Sequence, residues 1–161
     1  EGAFEAYLLD EFAGVDKEEV SLIASELTGN IRRGELDAFM DGLRVFFAGI
    51  PYDIQIANEK YYQSIFFIVF RLLNLRIEAE ARTNRGRIDA VIQTAGHVYI
   101  FEFKLDGSAE EALAQIRDKS YYEKFLNSGK EIILVGANFS TSTRGVGQWL
   151  SESISVSCLQ A

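Results

Sequence analysis

The hydrophobic period of this chain changes in mid-course, and that change limits the folds open to it. Asn58 reads as the cap of a helix running to about Leu73. Along it Tyr61, Tyr62, Ile65, Phe66, Phe67, Ile68, Val69, Phe70, Leu72 and Leu73 make nearly every side apolar. A helix of that kind is buried or covers a sheet. The period then falls from about 3.6 residues to about 2, the signature of strands. Arg76 to Ala81, Arg87 to Gln93 and Val98 to Lys104 read as three strands. Thr83-Asn84-Arg85-Gly86 and Thr94-Ala95-Gly96-His97 link them as tight turns, so the three form an antiparallel meander. Ser108-Ala109-Glu110-Glu111 is a capping box for a helix expected to reach about Leu126, with Gly129 as its stop. Glu131 to Asn138 then reads as a buried strand. A strand, a helix and a second strand form a crossover, which makes that last strand parallel to Val98–Lys104. Trp149 and Leu150 suggest a short final helix. This order predicts an α/β sandwich with a mixed central sheet.

Residues 1–50 read as helical: Leu22, Ile23 and Leu27, then Leu36, Phe39, Met40, Leu43, Phe46 and Phe47, keep helical spacing. Asp16 can cap the first helix, with Glu18 and Glu19 in its first turn, where the dipole favours acids. Gly29-Asn30 and Gly49-Ile50-Pro51 read as breaks. The net charge of −8 is unevenly spread. Residues 1–58 hold 12 acids and 4 bases, while residues 59–161 hold 12 of each. The acidity that would argue against a nucleic-acid partner is therefore confined to the first third. No apolar run approaches the roughly 20 residues needed to span a bilayer, and no secretory signal opens the chain, so a cytoplasmic location is expected. The chain opens on Glu1 rather than Met, so a longer parent protein is expected. Its 161 residues are one domain's worth. The single cysteine, Cys158, and single histidine, His97, exclude an internal disulfide, a cysteine-rich metal site and a multi-histidine zinc site. No phosphate-binding GxxxxGK[ST] loop occurs. Carboxylates are left as the ligands for any metal.

The informative stretch is Gly86-Arg87-Ile88-Asp89, then twelve residues, then Glu102-Phe103-Lys104. Glu102 and Lys104 are two apart in a strand and share a face. Their neighbours Ile100, Phe101, Phe103 and Leu105 are apolar, as in a strand covered on both sides. The turn near Ala95-Gly96 pairs residues whose numbers sum to about 191, which sets Asp89 opposite Glu102. Two carboxylates with the Phe103 carbonyl make a hard-oxygen site suited to Mg²⁺ or Mn²⁺. A lysine beside them can orient a water or stabilise phosphate charge. Metal-assisted phosphodiester hydrolysis fits this set best. Arg82, Arg85 and Arg87 lie just upstream, either as phosphate contacts or as solvated turn residues.

Asp89 with Glu102-Phe103-Lys104 matches the D…(D/E)-x-K pattern of the PD-(D/E)xK nuclease superfamily. The wider string resembles one branch, the nuclease-like domain found C-terminal to an AAA-ATPase-like domain in many bacterial proteins. Ile50-Pro51-Tyr52, Asn58-Glu59-Lys60-Tyr61-Tyr62, Gly86-Arg87-Ile88-Asp89, Tyr99-Ile100-Phe101-Glu102-Phe103-Lys104 and Ala112-Leu113-Ala114-Gln115-Ile116 carry the likeness. It implies a restriction-endonuclease-like α-β-β-β-α-β core over residues 50–161, with residues 1–49 as a helical connector. It also implies a nuclease acting on nucleic acid, DNA above all. Asp89 and Glu102 would bind the metal, Glu59 would add a helical acid, Lys104 would be the catalytic lysine, and Gln115 would order the site or the substrate. The related Q-x-x-x-Y motif would place tyrosine at position 119, where this chain has Lys119.

Each residue also has a plainer reading. Glu102 and Lys104 as an exposed ion pair would contribute under about 1 kcal/mol. Glu59 in a first helical turn is stabilised by the dipole whatever its role. Arg144 reads as a surface residue and His97 as a turn residue. The rival to the nuclease is a catalytically silent interaction or regulatory module attached to the ATPase-like part. The intact D…ExK set favours the enzyme, and the zero net charge of residues 59–161 favours the rival.

Overall fold

The computed structural model describes residues 17–49 and 59–154. The caps expected at Asp16 and Asn58, and the segment 50–52, lie outside the described residues. Three helices come first: α1 (Lys17–Arg32), α2 (Leu36–Ala48) and α3 (Glu59–Asn74). Then follow β1 (Glu78–Asn84), β2 (Arg87–Gln93), β3 (His97–Leu105), α4 (Ala109–Lys119), a 3₁₀ turn (Tyr121–Phe125), β4 (Glu131–Ser140) and β5 (Gly145–Ile154). The five strands form one sheet in the order β1-β2-β3-β4-β5. β3 and β4 are parallel, and the other neighbours are antiparallel. The α/β class, the mixed sheet and the α-β-β-β-α-β order all match the sequence expectation.

The sheet is covered on both faces, and the period-2 pattern decides which residue faces which layer. Ile88, Ala90 and Ile92 of β2, Tyr99, Phe101 and Phe103 of β3, and Val135, Ala137 and Phe139 of β4 join one core with α1, α2 and α3. Aromatic rings knit that layer: Phe66 of the apolar helix α3 lies 4.7 Å from Phe103 and 5.2 Å from Phe139. Phe39 of α2 reaches Phe101 at 5.6 Å. Val98 and Ile100, with Ile132 and Leu134, pack on the other face against Leu113 and Ile116 of α4. Asp89, Glu102 and Lys104 alternate onto this second face.

α4 can lie close to the sheet because β4 carries Gly136 in the position paired with Glu102. A Cβ there would stand 2.4 Å from the Leu113 backbone nitrogen and 2.6 Å from the Ala109 carbonyl oxygen. The helix begins as the capping sequence predicts: Ser108 Oγ accepts from the Glu111 amide at 3.0 Å.

Four expectations need correction. Trp149 and Leu150 lie in β5, not in a helix. Their side chains take opposite faces, Trp149 against the core and Leu150 40% exposed. The helix expected to reach Leu126 stops at Lys119, because Ser120 turns left-handed at φ 53° and the chain tightens into the 3₁₀ turn. Gly29-Asn30 does not break α1; Leu27 and Ile31 are both buried, and their packing carries the helix through to Arg32. The first strand runs from Glu78 to Asn84, later than Arg76 to Ala81, so the turn shortens to Arg85-Gly86, with Gly86 at φ 75°.

Candidate active site

Asp89 pairs with Glu102 directly across β2 and β3, in the register whose numbers sum to 191. Arg82 pairs with Asp89 on the other side, so Arg82, Asp89, Glu102 and Gly136 form one rung across four strands. Asn84, Arg87, Lys104 and Asn138 form the next rung on the same face.

Glu102 is 1% exposed, the only buried acid among the described residues. Its Oε1 lies 3.5 Å from the Lys119 ammonium. Its Oε2 is buried without a hydrogen-bond partner. Burial first, and then the adjacent Asp89, push the Glu102 carboxyl up to about 7, against the opposing pull of Lys119. Burial penalises the ionised form, and in addition two carboxylates across one rung cannot both ionise cheaply, since neither ionised group can donate to the other. A proton held between them relieves the clash. A divalent cation would do the same with a better match to hard oxygens. Asp89 is tied more loosely, accepting from Asn84 Nδ2 at 3.2 Å with Arg87 Nε 3.5 Å away.

α4 lays a stripe of one residue per turn over these strands. Glu111 meets the Lys104 ammonium at 3.4 Å, and Lys119 meets Glu102. Gln115 lies midway on the same stripe, with its Oε1 buried and unpartnered by hydrogen bonds. The structure thus brings Asp89, Glu102, Lys104 and Gln115 to one face. Arg82 is exposed at its rim, Arg87 is half-buried beside Asp89, and Arg85 is exposed in the β1–β2 turn. Glu59 opens α3, but its side chain is outside the described residues. Among the described residues no group of three or more His, Cys, Asp or Glu converges on one point. The oxygen donors nonetheless fit a hard cation: a buried acceptor with no donor faces a second carboxylate.

Lys119 is the residue that sequence reasoning passed over. It lies one helical turn beyond Gln115, at the position where the related motif has tyrosine, and only the crossover brings it to Glu102.

The model of the PD-(D/E)XK nuclease superfamily matches residues 57–149, more than half of the chain and all of the elements that form this face. The chain belongs to that superfamily. It is also 40% identical over 116 residues to a protein of Azotobacter chroococcum mcd 1 described as "Uncharacterized protein in vnfD 5'region". That match covers 68% of the chain and 22% of the relative, so the chain spans about a fifth of that protein's length. No solved structure matches. The superfamily's divalent-metal chemistry agrees in kind with the donors at Asp89 and Glu102. None of the described helices is long and apolar enough to cross a membrane.

Proposed function

We propose that this domain hydrolyses phosphodiester bonds of nucleic acid, with DNA the expected substrate, at the rung formed by Asp89 and Glu102. The observation that carries the reading is a buried carboxylate with an unpartnered oxygen facing a second carboxylate, in a chain of a nuclease superfamily. Asp89 and Glu102 would hold Mg²⁺ or Mn²⁺, with Glu59 and the Phe103 carbonyl as further oxygen donors. Such an ion, when bound, polarises the phosphate and lowers the pKa of water. Lys104 is one rung away from the carboxylates, and its ammonium would leave the exposed Glu111 to stabilise charge on the phosphate or orient the attacking water. Gln115, with an amide free to both donate and accept, would order that water or the substrate. Arg82 and Arg85 would contact flanking phosphates, while Arg87 would steady Asp89 and the strand end. Lys119 would keep Glu102 ionised and in position. In its parent protein the domain is expected to follow an AAA-ATPase-like domain.

A silent interaction module is the competing reading, and one observation favours it: Lys119 already gives Glu102 a counter-charge. Cleavage separates the two. Labelled single- and double-stranded DNA and RNA are incubated with Mg²⁺, Mn²⁺ or EDTA, using the wild type and Lys104→Ala. The nuclease reading expects cleavage that EDTA abolishes and that Lys104→Ala lowers by about 100-fold or more. Identical products from the wild type and the variant would remove Lys104 from the chemistry, and no cleavage by the wild type would favour the silent module.

A further inference from the structure

Beside the two carboxylates the same face opens into a shallow, solvent-open cleft. Val91 and Ile100 lie two residues along their strands from Asp89 and Glu102, about 7 Å away, and form an apolar floor. Tyr121 and Phe125, carried there by the left-handed turn at Ser120 and the 3₁₀ turn after it, supply aromatic walls. Tyr121 is 46% exposed, a large ring left facing solvent. Cations stand over both rings, Lys119 at 6.0 Å from Tyr121 and Lys124 at 5.1 Å from Phe125. Arg82 and Glu80 complete the rim, and neither side chain has a hydrogen-bond partner among the described residues.

Aromatic faces with adjacent cations are the arrangement by which a protein stacks an unpaired base while neutralising the phosphate attached to it. The free acceptor of Glu80 can meet a base edge, with Arg82 beside it for the adjoining phosphate. Charge points the same way. Residues 59–161 carry 12 acids and 12 bases, so they lack the cationic surplus that holds a duplex by counterion release. Affinity for a strand has to draw on stacking.

We propose that this cleft seats one unpaired nucleobase beside the phosphate to be cleaved, so that the substrate is single-stranded nucleic acid, a flap or a frayed end rather than an intact duplex. The cleavage clause rests on the function proposed above; the base pocket itself does not. The test is binding in EDTA, read by fluorescence anisotropy on labelled 12-nucleotide strands. Four probes are used: a single strand, the same strand with every base removed, the matching duplex, and thymidine monophosphate as competitor. The wild type, Tyr121→Ala and, as a milder change inside the wall, Phe125→Leu are compared, each checked for folding by circular dichroism. The proposal expects the single strand to bind at least about tenfold more tightly than either the duplex or the base-free strand, with Tyr121→Ala removing about tenfold for the base-containing strand alone. Equal binding of strand and duplex overturns it, as do wild-type affinities in both variants. Thymidine monophosphate competing as tightly as the strand overturns it too, by making the cleft a site for free nucleotides. Base-dependent binding without metal-dependent cleavage would keep the pocket and remove the nuclease reading. Cleavage that ignores Tyr121 and the bases would do the reverse.

Discussion

Replacing Glu102 by Gln should make the metal-free protein more stable at pH 8. Glu102 has its folded pKa raised from 4.5 to about 7, by burial first and then by Asp89. Between those values the folded state holds a proton that the unfolded state has lost. Stability from this group is therefore fully present below about pH 4.5 and is lost as the pH rises through about 7. At about 1.4 kcal/mol per pKa unit, the loss is on the order of 3 kcal/mol at most. Gln has nearly the same volume, carries no charge and can donate its amide to Asp89. Against this, Lys119 loses its partner, but its side chain is 24% exposed and can turn to water. A net gain of about 1–2 kcal/mol at pH 8 is expected, or several degrees in melting temperature. Urea unfolding in EDTA at pH 5, 6, 7 and 8 checks it. The wild type should weaken across this range, and the variant should show a much flatter profile. Equal slopes, or a variant less stable than the wild type at pH 8, would refute the claim that two carboxylates crowd one rung.

Two further perturbations test how α4 is held over the site. Gly136→Ala places a methyl group 2.4 Å from the Leu113 backbone nitrogen. It should cost about 2–3 kcal/mol in denaturant unfolding, because backbone atoms cannot step aside as a side-chain tip can. Ser108→Ala removes the oxygen that accepts from the Glu111 amide. It should cost about 1 kcal/mol in the same assay and leave divalent-cation affinity within about twofold of the wild type.

How much of this was legible in the sequence depended on how local the signal was. The pairing of Asp89 with Glu102 was readable because the hairpin around Ala95-Gly96 is short and the strand period is 2, so one turn sets the register for the whole pair. The burial of Glu102 was readable from Phe101 and Phe103 on either side. β5 was not: Trp149 and Leu150 are adjacent, and what orders them is antiparallel pairing to the distant β4, with only one side chain of the two in the core. The end of α4 was hidden because Ser120 takes a left-handed turn that glycine usually announces. The contact from Lys119 to Glu102 spans the crossover, and no spacing rule within a single element predicts it. Gly29 misled for the opposite reason, since tertiary packing around Leu27 and Ile31 overrode a poor local propensity.

The account stands on Asp89 and Glu102 forming one divalent-cation site. The direct measurement is a calorimetric titration of Mn²⁺ into the full chain at pH 8, for the wild type and for Asp89→Asn. The account predicts saturable binding by the wild type and at least about tenfold weaker binding by the variant, since one of the two hard charged donors is gone. Binding of equal strength in both, or no binding by the wild type, would contradict it.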